Sequence, residues 1–225
     1  MVGMLLRRRP AAIPSAGPRL CPRRCSCATG ATGTPPPSRP SGSAEAVLRA
    51  YVGAKDHNRP VLARHAFAPD ATVSMVLRTD AIAFPDSVGL DAIASTLVSS
   101  FNVSHEDIFT FYLGRPPAGR PSAFSCDWLV GMHEKATGDV RVGCGAYDWS
   151  FGGEGEQGYR ATALTITIEE MATLPPEASA EVFDGWLMGL EYPFTDSECV
   201  LGAAPLHLEG LAPVAKYLSA GRSAL

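Results

Sequence analysis

The stretch VRVGCGAYDWSF, residues 140–151, is the longest strand-like segment of the chain and decides the fold class. In a β-strand, successive side chains point to opposite faces of the sheet. One face of this segment therefore carries small apolar residues and one carboxylate, namely Val142, Cys144, Ala146 and Asp148. The other face carries Arg141, Tyr147, Trp149 and Phe151. This alternation predicts a β-strand with one small-residue face and one aromatic face.

Further segments with a period of two residues lie on both sides of this stretch, at residues 108–113, 124–133 and 159–168. Glycine-containing connections at residues 136–139 and 152–155 separate them, as in successive antiparallel hairpins. In the segment 124–133, the even-numbered positions form an apolar face that includes Trp128, which we expect to be core or pocket wall. We therefore predict a meander of long strands that forms a strongly curved sheet.

The residues before this meander have the helical period instead. Ser43 can cap a helix that runs to about His57, and a second apolar stripe extends from Leu90 to Phe101. Between them we expect a short helix from Pro60 and a strand over residues 70–77. A further helix is expected from Pro175 to Leu190. Helices followed by strands indicate an α+β fold and not a doubly wound α/β sheet.

The first 43 residues differ from the rest of the chain. They hold seven Arg and no acidic residue, are rich in Pro, Gly and Ser, and lack an apolar period, so we expect a disordered tail at residues 1–43. This composition fits an organellar transit peptide or an extension without function, and it lacks the apolar run of a secretory signal. Because Cys126, Cys144 and Cys199 are widely spaced, we expect free thiols in a reducing compartment and a cytoplasmic protein.

Charge and motifs exclude several classes of function. After the tail, 12 Lys and Arg stand against 23 Asp and Glu, and such an acidic body argues against nucleic-acid binding. No stretch approaches the roughly 18 apolar residues of a membrane span, so we expect no membrane partner. The sequence also lacks metal-ligand clusters, phosphate loops and dinucleotide fingerprints. We therefore expect neither a metal nor another cofactor.

Two stretches resemble a known superfamily. AVLRAYVGAKDHNRPVLARHAFAPDATVSM (residues 46–75) and VGCGAYDWSFGGEGEQGYRATALTIT (residues 142–167) are similar to the opening helix and the hairpin strands of SnoaL-like proteins, also called nuclear transport factor two-like, which include ketosteroid isomerases. The resemblance spans about residues 44–171. It implies a cone-shaped, curved antiparallel sheet wrapped around N-terminal helices, with a domain at 44–195 and a C-terminal extension at 196–225.

The same resemblance implies candidate site residues. Tyr51 falls on the helical tyrosine of ketosteroid isomerases, and Asp148 falls near their strand carboxylate, so the pair could polarise an oxygen. Met75 takes the position of their catalytic base, and its side chain cannot accept a proton. His65 is a candidate base, although a histidine on a short helix more often serves packing. Asp148 could also be solvated near its hairpin or bond to a turn.

Two classes of function remain open. The first is a cofactor-independent isomerase, lyase or cyclase that uses Tyr51, Asp148 and His65 on a small carbonyl or polycyclic compound. The second is a protein that binds a small apolar ligand or acts as a dimeric scaffold without catalysis. In both cases Met75, Trp128 and Cys144 are expected to contact the ligand. A homodimer is expected through the outer sheet face, because its aromatic stripe would otherwise be exposed, at Tyr147, Trp149 and Phe151.

Overall fold

The computed structural model describes residues 42–79, 85–153 and 158–221. Its α-helices are α1 Ala44–Asp56, α2 Leu90–Ala94, α3 Phe101–Ser104, α4 Ser179–Val182, α5 Ser197–Ala203 and α6 Ala212–Ala220. Its strands are β1 Phe67–Leu77, β2 Ser87–Val88, β3 His105–Leu113, β4 Ala123–Glu134, β5 Val140–Gly152, β6 Arg160–Leu174 and β7 Phe194–Thr195. A π-helical segment, Ser95–Ser100, joins α2 to α3, and 3₁₀ turns lie at Pro60–His65, Pro176–Ala178, Leu187–Gly189 and Glu209–Leu211. The predicted disordered tail lies outside the described residues except for Gly42 and Ser43.

Helix α1 begins where its cap was predicted. The Ser43 hydroxyl accepts a hydrogen bond from the Ala46 backbone N–H at 3.2 Å, which satisfies one of the free donors of the first turn. Glu45 in the first turn and Lys55 in the last complement the helix dipole. The buried side of α1 includes Leu48 and Tyr51, and it lies against the sheet.

The strands form one curved, open sheet in the order β2-β1-β6-β5-β4-β3-β7. The four long strands β3 to β6 pair antiparallel in sequence, as the hairpin pattern predicted. Strand β1 lies parallel to β6, and β7 lies parallel to β3, so the sheet is mixed at its two ends. The long helical connection between β1 and the meander allows this parallel pairing. The predicted α+β fold, with a curved sheet around N-terminal helices, is confirmed.

Each end of the sheet is closed by a strand of two residues, β2 on one side and β7 on the other. Past the ends of these short strands, aspartate carboxylates accept hydrogen bonds from backbone N–H groups of the neighbouring long strands. The Met75 N–H donates to Asp86 at 2.8 Å, and the Thr110 N–H donates to Asp56 at 2.7 Å. The two edges of the sheet therefore carry matching carboxylate contacts.

The inner face of the sheet packs against α1 and is aromatic. Tyr147, Trp149 and Phe151 of β5 lie on this face, with exposed fractions of 1–7%. Their alternation along the strand was predicted correctly, but its direction is the reverse of the prediction, which placed these rings outside. On this face the large rings make edge and stacked contacts, such as that between Tyr51 and Trp149, whose ring centres are 5.4 Å apart.

The outer face is covered by the chain's own C-terminal residues. Aliphatic and small side chains of the sheet, including Leu129, Val142 and Cys144, form a second buried cluster with residues of the last third of the chain. Helix α6 contributes Val214 and Leu218 to this cover. The aromatic stripe that motivated dimerisation is therefore not on the surface, and that argument is wrong. Dimerisation itself stays a prediction.

The helix expected from Pro175 to Leu190 is broken into short turns. Gly185 donates to the Ala180 carbonyl, five residues back, which ends α4 in the manner of a helix C-terminus. After the break, the Trp186 ring is buried in the outer cluster, and its indole N–H donates to the Val200 carbonyl of α5 at 2.9 Å. Within the described ranges, no helix combines the length and apolarity needed to cross a membrane.

Candidate functional site

A cavity lies between α1, the α2–α3 helical segment and the inner face of the sheet. Its volume is about 50 Å³, measured as the space open to the centres of water-sized molecules. This is enough for several waters, since one water needs roughly 10–15 Å³ by that measure. The lining is mostly aliphatic, aromatic and thioether, and it comprises Tyr51, Lys55, Met75, Leu97, Phe101, Trp128, Val130, Met132, Tyr147, Ile166, Ile168 and Met171.

Two tyrosine hydroxyls supply polar atoms in this wall. Tyr51 projects from α1, Tyr147 projects from β5, and their rings meet edge to face with centres 6.2 Å apart. Burial raises the pKa of Tyr51 far above its ordinary value. Burial likewise raises the pKa of Tyr147, so both hydroxyls are neutral at neutral pH. Each neutral hydroxyl can therefore donate a hydrogen bond to an oxygen in the cavity.

A buried cation lies one helical turn beyond Tyr51. The Lys55 ammonium donates to the Thr110 hydroxyl at 2.7 Å, and it lies 3.2 Å from Asp56 Oδ1. Thr110 in turn donates to Asp56 at 2.8 Å, and the Tyr192 hydroxyl donates to the same carboxylate at 3.0 Å. The ammonium also sits 4.7 Å from the centre of the Phe101 ring. Since Asp56 balances the charge of Lys55, the pair adds no net charge to the cavity.

Three of the predicted site residues line the cavity. Tyr51 and Trp128 are almost fully buried there, and Met75 forms a half-buried part of the wall. Trp128 stacks on Tyr147 with ring centres 5.5 Å apart, and its indole N–H donates to the Thr167 carbonyl at 3.2 Å. Met75 therefore belongs to the wall, where its thioether can adapt to a ligand.

The other three predicted site residues do not line the cavity. Asp148 points to the outer side of β5, where its carboxylate accepts a hydrogen bond from Ser125 at 2.7 Å. The predicted convergence of Tyr51 and Asp148 is wrong, because Asp148 has the opposite strand parity from Tyr147. Cys144 shares that outer parity and is buried under the C-terminal residues, where burial raises the pKa of its thiol. His65 is exposed at the end of its 3₁₀ turn and does not reach the cavity.

Sequence reasoning missed Tyr147 and Lys55. Tyr147 was assigned to the wrong side of its strand. Lys55 follows Tyr51 by four residues, a spacing that puts both side chains on one face of a helix, and this signal was present in the sequence. Among the residues the structure describes, no group of three or more His, Cys, Asp or Glu side chains could hold a metal ion.

No protein-family model and no curated protein matches the chain in sequence. Solved structures do match. A nuclear transport factor 2-like superfamily protein from Salmonella enterica is 14% identical, with a TM-score of 0.44 over 58% of this chain and 87% of that one. A ketosteroid isomerase-like protein from Erwinia carotovora atroseptica is also 14% identical, with a TM-score of 0.44 over 58% of this chain and 96% of that one.

A third match is hexachlorocyclohexane dehydrochlorinase LinA-type3 from Novosphingobium barchaimii. It is 10% identical, with a TM-score of 0.46 over 59% of this chain and 88% of that one. Likenesses of this size concern the arrangement of helices and strands and not the chemistry of a site. The chain is thus similar to proteins that carry the nuclear transport factor 2-like and ketosteroid isomerase-like names, which are also the names of the superfamily that its sequence resembles.

Proposed function

We propose that this protein binds a compact apolar molecule that carries one carbonyl or phenolic oxygen. The observation behind this proposal is that two buried hydroxyls, those of Tyr51 and Tyr147, lie in the wall of an otherwise apolar cavity. An apolar body would displace water from the aliphatic lining, and one oxygen would accept the Tyr51 hydrogen. Apolar pockets with a few placed polar groups are the usual form of small-molecule sites.

The charge arrangement narrows the class of ligand. Lys55 is held by Thr110 and balanced by Asp56, so a full carboxylate on the ligand would have to compete with Asp56 for the ammonium. A neutral carbonyl or phenol needs only the neutral hydroxyl donors. The ligand class is therefore a ketone, aldehyde or phenol with an apolar body, and not a free acid.

The side chains that line the cavity also allow it to enlarge around a ligand. Met75, Met132 and Met171 each contribute a thioether to the wall. Because methionine is unbranched and flexible, these side chains can move apart around a ligand larger than the unfilled cavity. A body of one or two rings is thus consistent with a cavity of about 50 Å³.

A second candidate function is catalysis on the same ligand class, as an isomerase, lyase or cyclase. The observation that favours it is the presence of two buried, neutral tyrosine hydroxyls in a largely apolar wall. Donors in such a water-poor site stabilise an oxygen on which negative charge develops more strongly than they would in water. Enolisation of a ketone held at Tyr51 would be the simplest reaction of this kind.

Binding can be tested with 2-naphthol, whose fluorescence reports its environment, and with naphthalene, which lacks the hydroxyl. Removal of the Tyr51 hydroxyl leaves a ligand oxygen without its donor and costs about 1–3 kcal/mol, or roughly 5- to 150-fold in Kd. We therefore expect Tyr51→Phe to weaken 2-naphthol by that factor and to leave naphthalene unchanged.

Tyr112→Phe is the matched control. Tyr112 is also fully buried, but its hydroxyl donates to the Leu48 carbonyl at 3.0 Å, and its side chain does not line the cavity. It should leave both affinities unchanged. Equal binding of 2-naphthol to the wild type and Tyr51→Phe would contradict the assignment of Tyr51, and a wild type that binds neither probe would contradict the proposal as a whole.

A further inference from the structure

A second cluster of reactive side chains lies outside the cavity, near one end of β4. His133 Nε2 is 2.9 Å from the Ser179 hydroxyl oxygen, and His133 Nδ1 is 3.2 Å from Asp107 Oδ2. A serine and a carboxylate thus contact opposite nitrogens of one imidazole. This is the connectivity of a nucleophile, a base and a group that orients the base.

The backbone places Asp107 beside His133 by an irregularity in β3. The pairing of β3 with β4 shifts between Glu106 and Phe109, so that two residues of β3, Asp107 and Ile108, stand opposite one residue of β4. Asp107 has a φ of 49°, in the left-handed region that aspartate tolerates better than most residues. Such bulges can redirect a side chain, and they are frequent next to active sites. Here the bulge directs the Asp107 carboxylate to His133 while Ile108 stays in the core.

Helix α4 fixes the imidazole from the other side. Ser179 is its first residue, and Phe183 donates its backbone N–H to the Ser179 carbonyl at 2.8 Å. The Phe183 ring stacks on the His133 ring with centres 4.4 Å apart and planes at 23°. Three contacts therefore hold the ring: a carboxylate, a hydroxyl and an aromatic face.

These contacts also determine the proton positions. An ionised carboxylate can only accept, so Nδ1 of His133 carries the hydrogen toward Asp107. In the neutral ring, Nε2 is then an acceptor, and the Ser179 hydroxyl donates to it. The side chains are reachable from solvent, since His133 is 19% exposed and Asp107 is 67% exposed.

We propose that Ser179, His133 and Asp107 form a second site, which cleaves carboxylic esters with good leaving groups by acyl transfer to Ser179. The Ser179 oxygen attacks the carbonyl carbon while its proton passes to His133 Nε2. The C–O bond to the leaving group then breaks, and His133 returns the proton to that group. Water next attacks the acyl carbon and loses a proton to His133. The bond between the acyl carbon and the Ser179 oxygen then breaks, His133 returns the proton to that oxygen, and the acid is released.

A fluorophosphonate probe tests the nucleophile directly on the full chain. The Ser179 oxygen would form a bond to phosphorus as fluoride leaves, and the adduct would be located by peptide mass spectrometry. We expect the label on Ser179 and turnover of 4-nitrophenyl acetate. Since a positioned base contributes about 10²- to 10⁴-fold, His133→Gln should slow both reactions at least roughly 100-fold, and Asp107→Asn should slow both as well.

Ser125→Ala is the matched control, because Ser125 is exposed and hydrogen-bonded to a carboxylate without an imidazole. It should change neither reaction. Thermal melting of each variant separates lost chemistry from lost folding. A wild type that takes no label at Ser179 overturns the proposal, as does labelling that survives His133→Gln at the same rate.

Discussion

The two faces of the sheet are both buried, but they are buried differently. The inner face packs large aromatic rings around α1 and leaves a cavity, as at Tyr51, Tyr147 and Trp149. The outer face packs small and aliphatic side chains against short helices from the C-terminal third, as at Val142 and Leu187. Both faces are therefore core, and the tyrosine hydroxyls of the cavity belong to the inner one.

The contrast follows from the shapes of the covering elements. Short helices and turns approach the outer face closely, so the side chains that the strands present on that face must be small. At Gly131 a β-carbon would lie 2.2 Å from a Leu187 methyl carbon, which shows how little room remains. On the inner side, aromatic, aliphatic and thioether side chains leave a cavity between the sheet and the helices.

The strongest test of this comparison removes one tryptophan from each face. Trp186 and Trp149 are both about 98–99% buried, and replacing either by Ala should cost about 3–5 kcal/mol in the free energy of unfolding. Only Trp149→Ala should also alter 2-naphthol binding, because its ring contacts Tyr51. Chemical denaturation and ligand titration of both variants provide the measurement. A cost near zero for Trp186→Ala would show that the outer cover is not part of the core.

A second test uses alkaline pH to compare the tyrosines. Burial raises the pKa of Tyr51, Tyr112 and Tyr147 above 10, the ordinary value that they regain on unfolding. The unfolded state thus loses these protons first, so stability is fully present below about pH 10 and falls above it. Each tyrosine that ionises only when unfolded lowers stability by about 1.4 kcal/mol per pH unit.

Tyr51→Phe should remove one such contribution and make the loss between pH 10 and pH 11 less steep. The measurement is denaturant unfolding at several pH values, with tyrosinate absorbance at 295 nm as a second readout of the native state. Native absorbance should stay low at pH 11 and rise on unfolding. If all six tyrosines of the native protein titrated near pH 10, the burial of Tyr51, Tyr112 and Tyr147 would be contradicted.

The smallest effect is expected at Asp148. Its carboxylate makes an exposed hydrogen bond to Ser125 on the outer side of β5, so Asp148→Asn should change the free energy of unfolding by less than about 0.5 kcal/mol. It should leave 2-naphthol binding unchanged. A loss of binding as large as that of Tyr51→Phe would mean that Asp148 faces the cavity after all, and it would reverse the assignment of the two faces.

The order of elements and the strand parities could be predicted from sequence, but the sidedness of β5 could not. The hydrophobic period and the turn residues are local signals in the sequence. They predicted the antiparallel hairpins and the apolar face of β4. Which side of β5 meets the helices depends on register. Cys126 pairs with Tyr147, and directly paired residues point to the same side of a sheet. With that pairing known, the β4 core face would have placed Tyr147 inside.

The candidate site was predictable to a similar extent. Tyr51 lies in the cavity wall as expected, because an apolar helix face must turn toward the sheet. The cluster at Ser179 could not be predicted from the sequence, because it joins three segments through a bulge in β3 and a broken helix. A strict period-two pattern assigns no position to a bulge, and the helix pattern from Pro175 gave no sign that α4 would end at Val182.

The carboxylates at the two edges of the sheet have a consequence for solubility. A foreign strand can extend a sheet only by bonding to free backbone groups at its edge, and this is how many proteins aggregate. Here Asp86 occupies the Met75 N–H and Asp56 occupies the Thr110 N–H, beside flanking strands of two residues each. An incoming strand would have to displace a charged acceptor on either side. At these two positions a charged side chain therefore opposes the addition of a further strand, although the sheet is not closed into a barrel.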